Sequence, residues 1–141
     1  MGMTQDAILL DEESTGEKPH SYRILVVDDD KSCALTTMWT LELLGHTVQM
    51  ALDGKTAIDL AKSFHPEVVL LDIGLPGMNG YVICKAMRLE HVLHNTVFVA
   101  QTGWGQKEHR ERSKEAGFDY HLVKPVDIEA LKHILFGLNK S

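Results

Sequence analysis

Five short, β-branched apolar runs alternate with five longer segments of helical periodicity, and that alternation restricts the architectures open to the chain. The runs fall near residues 23–28, 47–51, 67–72, 96–101 and 119–123; the helical segments fall near 30–44, 54–64, 80–90, 106–116 and 127–138. Strands separated by helix-length crossovers pair in parallel, as βαβ units. Right-handed crossovers then put helices on both faces of one sheet. Gly45, His65-Pro66, Gly117 and Pro125 stand where the helices should end or begin.

The runs also differ in texture. Ile24 to Val27 and Val68 to Leu71 are continuously apolar, as central parallel strands are, whereas His46-Thr47-Val48-Gln49-Met50 alternates like an edge strand. The reading is α/β, a doubly wound five-stranded parallel sheet of flavodoxin-like order 2-1-3-4-5. Ligands of such sheets sit beyond the carboxyl ends of the strands, at the switch point between strands 1 and 3. Four runs deliver polar groups to that edge: Val27 runs into Asp28-Asp29-Asp30, Leu71 into Asp72, Ala100 into Gln101-Thr102-Gly103, and Val123 into Lys124-Pro125. Asp72 also opens a Pro/Gly loop, so its acid is expected to be exposed and aimed.

Length and charge narrow the function classes. The 141 residues fit one domain, with residues 1–21 an acidic tail or linker (Asp11, Glu12, Glu13, Glu17) and residues 22–141 the folded unit. A net charge of -6 argues against a nucleic-acid surface. The basic run Lys107, His109, Arg110, Arg112, Lys114 is interleaved with Glu108, Glu111 and Glu115 and reads as a solvated helix face. No apolar stretch approaches the roughly 20 residues of a membrane helix, and the amino terminus lacks a leader pattern, so no membrane contact is expected. Cys33 and Cys84 have neither metal nor disulfide spacing, which suits reduced thiols and a cytoplasmic location. Histidines 20, 46, 65, 91, 94, 109 and 133 are scattered without ligand spacing.

Clustered carboxylates repel one another unless a cation joins them, and hard oxygen ligands with open water positions suit Mg²⁺. An aspartate can act as a nucleophile toward phosphorus, a transfer that needs positioning and charge neutralisation. Lys124 supplies an ammonium for this, and Thr102, beside the unobstructed Gly103, supplies a hydroxyl and a backbone N–H for phosphate oxygens.

With these residues the chain resembles the receiver domain of two-component response regulators from Arg23 to about Leu138, most closely the receivers of hybrid sensor histidine kinases. The motifs are Leu25-Val26-Val27-Asp28-Asp29-Asp30, Asp72-Ile73-Gly74-Leu75-Pro76-Gly77-Met78-Asn79-Gly80, Thr102-Gly103 and Lys124-Pro125. The resemblance implies that Asp72 takes a phosphoryl group from a histidine kinase or phosphotransfer protein. It further implies Mg²⁺ held by Asp29 and Asp72 directly, by Asp28 through water, and by the backbone carbonyl of Gly74. Thr102 and Lys124 would contact the phosphoryl group, and the peptide between Lys124 and Pro125 would be cis. Such a domain is a signalling device rather than an enzyme, although it promotes its own Mg²⁺-dependent phosphorylation and dephosphorylation. The family's switching aromatic, three residues before the lysine, is His121 here. Gly74 and Trp104 would flank the phosphoryl group, with Trp104 slowing its loss. The alternative is a haloacid-dehalogenase-like phosphohydrolase with Asp28 as nucleophile, for which the chain leaves no cap domain.

Helix 1 should be capped by Asp30. On it Cys33, Thr36, Thr37, Thr40, Leu41 and Leu44 share one face and Leu35, Met38, Trp39 and Glu42 the opposite one. With the first face packed on the sheet, Leu35, Met38 and Trp39 are expected to be exposed, which the resemblance makes a docking patch for the histidine kinase or phosphotransfer protein; the alternative is that Trp39 lies against a neighbouring element or the amino-terminal tail.

Overall fold

The computed structural model describes residues 20–75, 77, 79–103 and 114–138. Its strands are β1 (Arg23–Val27), β2 (Thr47–Ala51), β3 (Val68–Asp72), β4 (Val97–Thr102) and β5 (Tyr120–Val123). Its helices are α1 (Lys31–Leu43), α2 (Gly54–Phe64), α3 (Gly80–Arg88) and α4 (Ile128–Leu138), with a 3₁₀ turn at His91–Leu93 that the periodicity did not signal. All pairings are parallel and the order is β2-β1-β3-β4-β5, the expected 2-1-3-4-5 with the alternating strand at one edge. Of the tail expected over residues 1–21, residues 1–19 lie outside the described residues, as do residues 106–113 of the helix expected near 106–116.

Strand side chains alternate between faces, so each buried strand feeds two cores. Leu25, Val27, Val69, Leu71, Phe98 and Ala100 point to the α2 and α3 side, where Ala57, Ala61, Ile83 and Met87 meet them. Ile24, Val26, Val68, Leu70 and Val99 point the other way, onto Ala34 and Leu41 of α1 and Leu131 and Leu135 of α4. This partition is the double winding in packing terms. Tyr22 is buried, with its hydroxyl donating to the Leu135 carbonyl.

Each described helix starts on a side-chain cap. Asp30 accepts from Cys33 N–H, as expected, Asp53 from Thr56, Asn79 from Val82, and Asp127 from Glu129. Gly45 closes α1 with φ +98°, a conformation that side chains resist.

Helix α1 sits on the sheet by a different face from the one expected. Ala34 and Leu41 are fully buried and Met38 packs against their cluster, whereas Cys33 and Thr36 are exposed. Of the expected outward residues, Trp39 is 56% exposed, but Leu35 is half-buried and Met38 belongs to the core. The second outward apolar residue is Leu43, at 88% exposure. Cys33, Thr36, Thr37 and Thr40 line a groove of about 490 Å³ that runs beside α1 to Lys124 and Val126.

Candidate functional site

The ladder register brings the polar strand ends together. Val27 pairs with Leu71, Asp72 with Gln101, and Thr102 with Val123, so the residues ending or following β1, β3, β4 and β5 share one edge. Backbone bonds carry the ladder past the strand ends, from Asp28 N–H to Ala51 O, Ile73 N–H to Gln101 O and Lys124 N–H to Thr102 O. The peptide between Lys124 and Pro125 is cis.

Lys124 joins two of the acids. Its ammonium lies 2.7 Å from Asp72 Oδ2 and 3.0 Å from Asp28 Oδ2. The remaining oxygens are also engaged: Asp72 Oδ1 accepts from Gly74 N–H and Asp28 Oδ1 from Asp30 N–H, both at 2.9 Å. Asp28 and Asp72 are 2% and 7% exposed, so the Asp72 carboxylate, expected to be exposed, is recessed. Asp29 is exposed, yet one carboxylate oxygen from each of Asp28, Asp29 and Asp72 lies within 4.8 Å of the others.

Burial pushes the Asp28 carboxyl above its ordinary range, against the lowering effects of the Asp30 N–H and Lys124, and the charge of Asp72 adds to the rise. For Lys124, burial acts to lower the ammonium's pKa, but the hydrogen bonds and charges of Asp72 and Asp28 outweigh it and leave it raised. Two of the three clustered carboxylates, Asp28 and Asp72, share the Lys124 ammonium, and Asp29 beside them leaves a local excess of negative charge. A set of hard oxygen donors with that excess suits a small divalent cation such as Mg²⁺.

Thr102 is buried at 5% exposure, and its hydroxyl lies 3.0 Å from His121 Nε2. Gly80 opens α3 directly under the acid, donating its N–H to Ile73 O, and a Cβ there would lie 2.6 Å from Ile73 Cα and 2.9 Å from Asp72 O. Only glycine allows α3 to start this close to Asp72. Trp104 and the basic run 107–112 lie outside the described residues.

Two features escaped sequence reasoning. Arg88, at the end of α3, donates to Thr96 O and Gly117 O, pairs with Asp119 at 2.8 Å and stacks over Phe98, fixing the approach to β5. Its only sequence signal was a basic residue in the last turn of a helix, which is commonplace. Gln101 is the second: its Nε2 is buried without a hydrogen-bond partner among the described residues.

Comparison with known proteins agrees with this architecture. A family model, the response regulator receiver domain, matches residues 24–136. Sporulation initiation phosphotransferase F of Bacillus subtilis is 31% identical over 110 residues, covering 78% of this chain and 87% of that protein. Virulence sensor protein BvgS of Bordetella bronchiseptica is 31% identical over 129 residues, 87% of this chain but 10% of BvgS. The chain spans 45% and 46% of two transcription and response regulators that it also matches, less than half of each. Chemotaxis protein CheY4 of Vibrio cholerae superposes with a TM-score of 0.78 at 29% identity, covering 82% of this chain and 97% of CheY4. The phosphohydrolase alternative, with Asp28 as nucleophile, gains no support from these matches. The chain belongs to the response regulator receiver family, signalling domains that accept a phosphoryl group.

Proposed function

We propose that Asp72 is the phosphoacceptor of a two-component phosphorelay, fed by a histidine kinase or histidine phosphotransfer protein. What supports this is one observation above the rest: Asp72 ends a central strand with its carboxylate recessed beside Asp28 and Asp29 and 2.7 Å from the Lys124 ammonium. An Asp72 oxygen forms the bond to phosphorus as the phosphorus–nitrogen bond of the donor phosphohistidine breaks. Lys124 passes from the carboxylate to a phosphoryl oxygen, and Thr102 offers its hydroxyl to another. Asp28, Asp29, Asp72 and the Gly74 carbonyl would hold Mg²⁺, whose charge when bound offsets that of the phosphoryl oxygens. The same residues let the domain take phosphate from a small donor and lose it to water. The sequence motifs and the BvgS match favour a receiver attached to a hybrid sensor kinase.

The donor is proposed to approach along α1, where Trp39 and Leu43 form an exposed apolar pair; Met38, packed in the core, drops out of the expected patch. Intact mass after incubation with Mg²⁺ and acetyl phosphate tests the acceptor. One phosphoryl adduct should form and vanish in Asp72→Asn, whereas an adduct that survives in Asp72→Asn and disappears in Asp28→Asn would refute the assignment. In the same assay Trp39→Ser should leave acetyl phosphate labelling intact and slow transfer from phosphohistidine donors of the same genome. Equal loss with both kinds of donor would reject the docking surface.

A further inference from the structure

His121 stands on β5 at the edge of the sheet, in register with Ala100, while Val123, two residues on, pairs with Thr102. Its Nε2 lies 3.0 Å from the Thr102 hydroxyl, and Thr102 is 5% exposed whereas His121 is half-buried. Hydrogen counting makes the contact informative. A threonine hydroxyl has one proton to give, and a neutral imidazole has one N–H and one bare nitrogen. In the unmodified site both Asp72 oxygens already have donors, Gly74 N–H on Oδ1 and the Lys124 ammonium on Oδ2. A phosphoryl group on Asp72 would add acceptor oxygens and no proton.

We propose that His121 is a positioning residue for the Thr102 hydroxyl, one that holds its proton while Asp72 is unmodified and yields it when Asp72 is phosphorylated. The inference rests on Asp72 being the acceptor and Thr102 a phosphoryl contact. In the unmodified domain Thr102 O–H donates to bare Nε2 and the ring proton sits on Nδ1. On phosphorylation the hydroxyl turns its proton to a phosphoryl oxygen. The bond to His121 then persists only with its direction reversed, Nε2–H donating to a lone pair of Thr102 Oγ1. The ring proton moves from Nδ1 to Nε2 by exchange with water, so the imidazole stays neutral and no proton is gained. A hydrocarbon ring could not make this exchange. It carries the state of the buried acid to an outer strand whose neighbouring side chains, Tyr120 and Val123, are 40% and 39% exposed.

Nitrogen NMR of the full chain with ¹⁵N-labelled histidine, in Mg²⁺ with and without beryllium fluoride as the phosphoryl mimic, tests this. The His121 resonances are identified by their loss in His121→Phe. The Nε2 signal should move from the unprotonated to the protonated region on addition of the mimic, and should not do so in Thr102→Val. His121→Phe, which removes the competing acceptor, should tighten beryllium fluoride binding by about fivefold, the worth of one ordinary hydrogen bond. An Nε2 signal unchanged by a mimic that binds, or an affinity within about twofold of wild type in His121→Phe, overturns the proposal. Absence of any acetyl phosphate adduct on Asp72 would instead remove the acceptor reading beneath it.

Discussion

Replacing Gly80 with alanine should destabilise the domain, although alanine is the better helix former. In a helix interior that exchange is favourable by up to about 1 kcal/mol. Here the added Cβ would lie 2.6 Å from Ile73 Cα and 2.9 Å from Asp72 O, both backbone atoms that cannot swing aside. Restoring the closer pair to the 3.4 Å edge of ordinary contact requires a shift of roughly 0.8 Å (3.4 less 2.6). Overpacking of this kind costs about 1–3 kcal/mol, and a backbone-on-backbone overlap belongs at the upper end. Subtracting the gain in propensity leaves a net loss of about 2 kcal/mol. Gly137 in α4 provides the contrast, since a Cβ there meets nothing within 4 Å. Gly137→Ala should therefore stabilise, by about 0.5–1 kcal/mol at most. Equilibrium urea unfolding of both variants measures the two signs. Because the shift falls on the backbone of Asp72 itself, the acetyl phosphate labelling rate of Gly80→Ala should also drop, by about tenfold or more. A Gly80→Ala domain as stable as wild type would refute the claim that α3 is seated against the acid.

Lys124→Met leaves Asp28 and Asp72 facing each other without their shared ammonium, and should cost about 2–3 kcal/mol in urea unfolding without Mg²⁺. Millimolar Mg²⁺ should restore more stability to this variant than it adds to wild type, and an equal gain in both would argue that cation and lysine do not share the carboxylates. Lys124 is raised above its ordinary 10.5, so its contribution is fully present below that pH and is lost as pH climbs through the raised value. Urea midpoints of wild type and Lys124→Met should converge there. Asp28, also raised, shifts stability with pH in the same direction but in the acid range, because ionising an acid raised by burial costs stability and that cost is relieved on acidification. Gln101→Met removes a buried amide nitrogen that has no partner among the described residues and should stabilise by about 1 kcal/mol; a loss would show that the amide is satisfied after all.

The sheet was legible because continuous and alternating apolar runs distinguish central from edge strands, and the strand order followed from that difference. The site was legible because a parallel sheet gathers its carboxyl ends, so residues 44 or more apart in sequence, such as Asp28, Asp72 and Lys124, converge without any local signal beyond their place at a strand end. The recess of Asp72 was not legible. Nor was the close return of α3 to the backbone of Asp72 and Ile73, which glycine at position 80 permits and a Cβ there would block.

The face chosen by α1 shows a different limit. This helix carries apolar residues nearly all round, Ala34, Leu35, Met38, Trp39, Leu41 and Leu43, so periodicity alone selects no direction. Packing selects Ala34, Met38 and Leu41, a stripe whose small first residue lets the helix lie close to β1 and β2 beside the acids. That choice turns the threonine-rich face toward the groove and sends Trp39 and Leu43 into solvent. Because Asp30 caps the same helix, the exposed pair is rigidly tied to the acidic loop. At 1.5 Å per residue, Trp39 stands roughly 14 Å along the axis from Asp30. A helical donor resting on Trp39, as proposed, would span that distance to the acidic loop in under three turns of its own. In the proposed docking, the helix that carries none of the three site acids would decide which donor reaches them.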